Sequence, residues 1–187
     1  MDRVLPRPLI SEDELQHRIS ELAAEIDRDY RDQEPLLCIG ILKGSVFFMV
    51  DLLKRVTVPV KIDFLQTSSY RSGTTPGEIR IRKDVDIAIR GKHVLIIEDI
   101  VDTGHTLSTV LGLFRFRGAK SVKLCALLDK HKAREVAVNV DYSGFKIDNV
   151  FVVGYGLDLD ERYRELPYIG VYEPDGDEPS EPSEPSE

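Results

Sequence analysis

Apolar residues gather along the chain in short runs: Leu36 to Leu42, Val94 to Ile97, Val122 to Leu128 (interrupted by Lys123), and a run entered at Asn149 that ends at Val153. Runs of this length predict strands, and Val94 to Ile97, unbroken and rich in β-branched residues, suits one buried on both faces, as inside a parallel sheet. Val60 to Gln66 alternates more, and so does Glu78 to Arg82, which reads as one side of a β-ribbon. Between the runs the apolar spacing becomes helical. Ser11 and Glu14 form a capping box ahead of a stripe at Leu15, Ile19, Leu22 and Ile26, with Glu34-Pro35 as the stop. A second helix is predicted over Val46 to Arg55. A third carries Leu107, Val110, Leu111 and Phe114, with Gly118 as its C-cap. Strand and helix alternate through most of this. The pattern predicts an α/β fold, a mainly parallel twisted sheet flanked by helices, with its site at the carboxyl ends of the strands.

The chemistry concentrates from His93 to Phe114. Glu98 and Asp99 directly follow an apolar strand, and Asp102 opens a tight turn through Thr103, Gly104, His105 and Thr106 into a helix. Free N–H groups at such a turn, with the helix dipole behind them, favour an anion. Gly104 permits close backbone approach, and the Thr103 and Thr106 hydroxyls can donate. By spacing alone Thr106 fits a helix-capping role equally well. Three acids at the end of a buried strand cost stability unless they bind something. Sugar hydroxyls and a divalent metal both suit carboxylates. A phosphate beside a diol describes a ribose phosphate. Lys43-Gly44, at the end of another strand, also suits an anion, although such turns are common.

Composition narrows the field. No apolar run approaches the ~20 residues that span a bilayer, and the first residues contain no signal-peptide core, so a cytoplasmic protein without a membrane partner is expected. Cys38 and Cys125 sit inside apolar runs and read as reduced core residues. The net charge of −8 is concentrated at one end, because Glu173 to Glu187 holds acids and no base. The rest is nearly neutral, with no basic excess to recruit nucleic acid. Pro-Ser-Glu repeats from Pro179 to Glu187 give a segment without apolar side chains, expected to be disordered. Residues 1–172 are therefore expected to form one domain, with 173–187 as a tail.

Ile96 to Thr106, IIEDIVDTGHT, resembles the 5-phosphoribosyl 1-pyrophosphate (PRPP) motif of the type I phosphoribosyltransferases. The segments Val122 to Lys130 and FVVGYGLD, Phe151 to Asp158, are similar to those of the hypoxanthine-guanine phosphoribosyltransferases. The resemblance runs from the first helix to Glu173. It implies a small hood over the sheet and a flexible lid, here Ser69-Tyr70 in the Ser/Thr/Gly-rich stretch Thr67 to Gly77, which otherwise reads as a surface hairpin. It also implies a cis peptide at Leu42–Lys43.

The resemblance assigns further roles. Lys43, Gly44 and Arg164 would bind pyrophosphate, and Glu98, Asp99 and Asp158 would attend Mg2+. Lys130 would donate to a purine 6-oxo group, Phe151 would stack on the ring, and Val152 would meet the base edge. Without it, Lys130 reads as a surface lysine and Phe151 as core. An ammonium only donates, so it suits a 6-oxopurine and not adenine. Asp102, repelled by the phosphate, would face the base and accept its N7 proton. His105 stands where relatives vary, and there it would make phosphate affinity pH-sensitive. The expected activity is purine salvage, joining hypoxanthine and guanine to PRPP in a homodimer or homotetramer. The rivals are another base, such as adenine or xanthine, and a PRPP-sensing RNA-binding regulator. Against a DNA-binding regulator, one helix and a short lead-in use up the residues before Leu36.

Overall fold

The structure is a computed structural model and describes residues 5–69 and 79–173. Tyr70, most of the expected lid and nearly all of the acidic tail lie outside the described residues. Strands β1 (Arg7–Ile10), β2 (Leu36–Leu42), β3 (Val60–Ser69), β4 (Ile79–Lys83), β5 (His93–Val101), β6 (Ser121–Asp129), β7 (Tyr142–Lys146), β8 (Val152–Val153) and β9 (Ile169–Val171) alternate with helices α1 (Glu12–Tyr30), α2 (Val46–Leu53) and α3 (His105–Phe116). The main sheet has the order β4-β3-β2-β5-β6-β7. It is parallel except for the ribbon strand β4.

The central strand is buried on both faces, as its unbroken apolar run predicts. Leu95 and Ile97 join the core beneath α1 and α2, while Val94 and Ile96 join the core beneath α3. Successive strand residues point to opposite faces, so each face receives two large side chains. The stripe Leu15, Ile19, Leu22 and Ile26 is fully buried. The Ser11–Glu14 capping box is present in both directions, with Ser11 N–H donating to Glu14 at 2.8 Å and Glu14 N–H to Ser11 at 3.3 Å. Helix α3 ends as its glycine predicts. Gly118 has φ +80°, its N–H donates to Arg115 at 3.0 Å, and Ala119 N–H donates to Phe114 at 3.2 Å. Only a residue without Cβ takes that left-handed bend cheaply.

Several expectations need correction. Asn149–Val153 is not a strand of the main sheet. Only Val152–Val153 is extended, and it pairs with β9 in a second, antiparallel sheet, β1-β9-β8, which forms the hood. The edge of the main sheet is instead β7, whose Ser-Gly pair hides the strand signal. Gly144 packs so tightly on β6 that a Cβ there would collide with the Leu127 carbonyl. Arg18 of α1 secures this edge, donating to Ser143 O at 2.7 Å and Gly144 O at 3.2 Å. Strand β3 runs on through Thr67–Ser69, and β5 continues to Val101, so Glu98 and Asp99 lie within a strand rather than after it. Helix α1 stops at Tyr30, before the Glu34-Pro35 breaker, and α2 stops at Leu53.

Candidate active site

A cavity of about 360 Å³ opens at the carboxyl ends of β2 and β5. Lys43 and Gly44 form one wall, and Glu98, Asp99 and Asp102 with the turn Thr103-Gly104 another. Thr106, Asp158 and Arg164 complete it. Residues far apart in sequence thus meet where a parallel sheet places its ligands.

The turn is built for close approach. Gly104 is the N-cap of α3 at φ +92°, and no side chain caps the helix. Thr106 therefore does not cap, and it faces the cavity. The first N–H groups of α3 have no intrahelical acceptor. The turn is held from behind, because Thr103 O accepts from Glu135 N–H and Val136 N–H at 3.0 Å each. A Cβ on Gly104 would press into the Val136 carbonyl and the Arg134 side chain. The His105 ring turns away from the cavity and meets Glu135 at 2.9 Å. His105 itself does not line the cavity.

The acid pair is in an unusual electrostatic state. Burial, reinforced by the neighbouring Asp99, pushes the Glu98 carboxyl well above its ordinary range. Burial raises Asp99 to about 6, partly opposed by hydrogen bonds from backbone N–H groups. Glu98 Oε2 is buried without a hydrogen-bond partner. Buried polar atoms in native proteins are normally satisfied, so this oxygen suits a ligand hydroxyl or a hard cation. Among the described residues no three His, Cys, Asp or Glu side chains converge to hold a metal ion. Glu98 and Asp99 could hold a divalent cation only together with ligands from outside this pair.

A stability prediction follows from the acid pair. A carboxyl raised in the folded state binds its proton more tightly there than in the unfolded chain, so stability falls as pH rises from about 4 to about 6. Asp99→Asn should therefore stabilise the ligand-free protein at pH 8 by roughly 1–3 kcal/mol, at ~1.4 kcal/mol per unit of pKa. The gain should vanish near pH 4. Urea titrations across that range measure it, and a pH-independent difference would show that charge burial is not the cause.

Two cations face the acids. Lys43 follows a cis Leu42–Lys43 peptide, as expected. Arg164 donates to Gly156 O at 2.6 Å and pairs with Asp158 at 2.9 Å. Both cations also contact Glu161, which sequence reading missed because an acid in Asp-Leu-Asp-Glu-Arg looks like solvated surface. Gly156 was missed as well. At φ +104° it packs against the Gly44 carbonyl, while Gly44 packs against the Asp99 carboxylate. Its signal was the Gly-Tyr-Gly spacing, which no motif rule reads as a contact.

The remaining residues stand beyond that cavity's walls. Lys130 is only 7% exposed and its Nζ lies 3.8 Å from Asp102. Phe151 is 50% exposed, with its ring 6.2 Å from Tyr172, edge to face. Burial of the lysine and exposure of the aromatic reverse what spacing alone implies for each. Val152 is buried in β8. Ser69 ends β3 at the margin of the described residues.

Comparison with known proteins places this geometry. The phosphoribosyl transferase domain model matches residues 11–160. The hypoxanthine-guanine phosphoribosyltransferase of Bacillus subtilis is 48% identical over 93% of this chain and 97% of its own. A crystal structure of a hypoxanthine phosphoribosyltransferase from Staphylococcus aureus superposes with TM-score 0.86 at 46% identity, covering 90% of this chain and 91% of that one. The bifunctional TilS/HprT protein of Listeria innocua is 51% identical over 94% of this chain, which spans only 27% of that longer protein.

Proposed function

Because the chain belongs to the phosphoribosyl transferase domain family, we propose that it transfers the 5-phosphoribosyl group of PRPP to N9 of hypoxanthine and guanine in purine salvage, releasing pyrophosphate. The observation that carries the reading is the cavity itself. It gathers the glycine-bearing turn that opens α3, the unpartnered Glu98 carboxylate with Asp99 beside it, and the cations Lys43 and Arg164.

In this reading the N–H groups of Thr103 to Thr106 hold the 5′-phosphate, and Glu98 and Asp99 hold the ribose hydroxyls. Lys43, Gly44 and Arg164 receive the pyrophosphate, with Arg164 able to bind it through two N–H groups. Purine N9 attacks C1′ as the bond from C1′ to the pyrophosphate oxygen breaks. Asp102 accepts the N7 proton. Lys130, held 3.8 Å from Asp102, donates to the 6-oxo group, while Phe151 stacks on the ring and Val152 meets the base edge. The expected lid residue Tyr70 lies outside the described residues, and Ser69 is the last described residue before it. Glu98, Asp99 and Asp158, which do not converge into a three-carboxylate site of their own, are the residues that would attend Mg2+; when bound, it would neutralise charge building on the leaving pyrophosphate.

Cys38 and Cys125 are free and buried, which suits a reducing, cytoplasmic setting. An apolar groove of about 310 Å³ between α2 and β3, flanked by the exposed Val50 and Ile62, supports assembly with further copies of the chain.

Pyrophosphate release, assayed with PRPP, magnesium and each purine, tests the activity. Hypoxanthine and guanine should turn over at least tenfold faster than adenine, because a lysine donor leaves adenine's amino group unpaired. Preference for adenine would overturn the role of Lys130. Xanthine turnover places the remaining boundary of specificity.

A further inference from the structure

We infer that Glu161 is an internal counter-anion of the pyrophosphate subsite, occupying Lys43 and Arg164 until substrate displaces it and returning as pyrophosphate leaves. The inference rests on the reading that these two cations receive pyrophosphate.

One carboxylate spans both cations. Glu161 Oε1 accepts from Lys43 Nζ at 3.0 Å, and Oε2 accepts from Arg164 Nη2 at 3.2 Å and Nε at 3.3 Å. Two oxygens of one anion bridging a lysine and an arginine from separate segments is the arrangement a phosphate group would make. The backbone aims it there. Glu161 sits at φ +62°, between Asp160 at +50° and Tyr163 at +75°, in a tight hairpin closed by Leu159 and Arg162. Left-handed conformations are uncommon in non-glycine residues and persist only where the surroundings over-determine them. Glu161 N–H donating to Asp158 at 2.9 Å is one such constraint.

Exposure favours exchange over permanence. Glu161 and Lys43 side chains are 62% and 55% exposed, so the pair is hydrated and weak. Arg164 does not depend on Glu161 for its place, since Gly156 O and Asp158 also hold it. Removing the carboxylate charge thus leaves the arginine positioned and the subsite more positive. The turn that would bind the 5′-phosphate does not touch Glu161.

The test is calorimetric titration of the full chain with magnesium pyrophosphate and, separately, with IMP, alongside steady-state kinetics. Glu161→Gln should tighten pyrophosphate binding roughly two- to tenfold, the range open to exposed ion pairs. It should lower KM for PRPP, leaving IMP affinity and KM for hypoxanthine unchanged. Glu161→Gly, which the left-handed backbone accommodates, should do the same and excludes a glutamine-specific effect. Unchanged or weaker pyrophosphate binding in both variants overturns the inference. Arg164→Ala separates the two levels of the argument. If it leaves pyrophosphate affinity at the wild-type value, the subsite reading itself fails and the counter-anion falls with it. If it weakens pyrophosphate binding while Glu161→Gln changes nothing, only the counter-anion fails.

Discussion

Asp102→Asn should lower kcat by about 10²- to 10⁴-fold, the usual worth of a positioned general base, with little change in KM for PRPP. Asparagine keeps the size and much of the hydrogen bonding of aspartate but cannot take up a proton. Asp102 opens the turn into α3, its side chain is 52% exposed and lines the cavity, and Lys130 Nζ lies 3.8 Å away. A carboxylate directed at the phosphate would repel it. Beside Lys130, the same carboxylate stands where the proposed reading puts the purine. The measurement is single-turnover formation of IMP, which isolates the chemical step from product release. Turnover within a few-fold of wild type would remove Asp102 from proton transfer and leave it a structural member of the turn.

Gly156→Ala should cost about 2–4 kcal/mol of stability and raise KM for PRPP severalfold. Two effects combine. The backbone at φ +104° is disfavoured for any L side chain, and the new Cβ would collide with the Gly44 carbonyl, a backbone atom that cannot rotate aside. Gly44 cannot retreat, because its own Cα side is closed by the Asp99 carboxylate. Strain at Gly156 therefore passes to the Lys43–Gly44 turn and to the acid pair, which form two walls of the cavity. Urea unfolding and PRPP saturation curves on the same preparation would read both effects. Wild-type values in both would show that these backbones do not touch in solution.

Much of the architecture was legible because it rests on local pattern. The capping box at Ser11 and Glu14, the stripe of α1 and the buried runs of β2, β5 and β6 all appear where periodicity places them. Burial on one helical face or on both strand faces leaves a direct trace in residue order. What failed were elements whose signal is carried by a partner. Strand β7 contains Ser143 and Gly144, poor strand formers alone, and is extended because β6 and Arg18 supply its hydrogen bonds. Val152–Val153 looks like a core strand, yet it closes the hood with β9 rather than extending the main sheet.

The candidate site divides along the same line. Residue order alone defined the Glu98–Asp99 pair and the turn from Asp102 to Thr106, since an acid pair on a buried strand and a glycine opening a helix are contiguous features. Only the tertiary structure decided that Lys130 is buried and Phe151 exposed, and that Gly156 seats Gly44 against Asp99. It alone showed Glu161 reaching across to Lys43 and Arg164. The physical reason is range. Backbone periodicity and turn chemistry act over a few neighbouring residues, whereas burial, charge pairing and steric contact depend on which distant segments the folded sheet brings together.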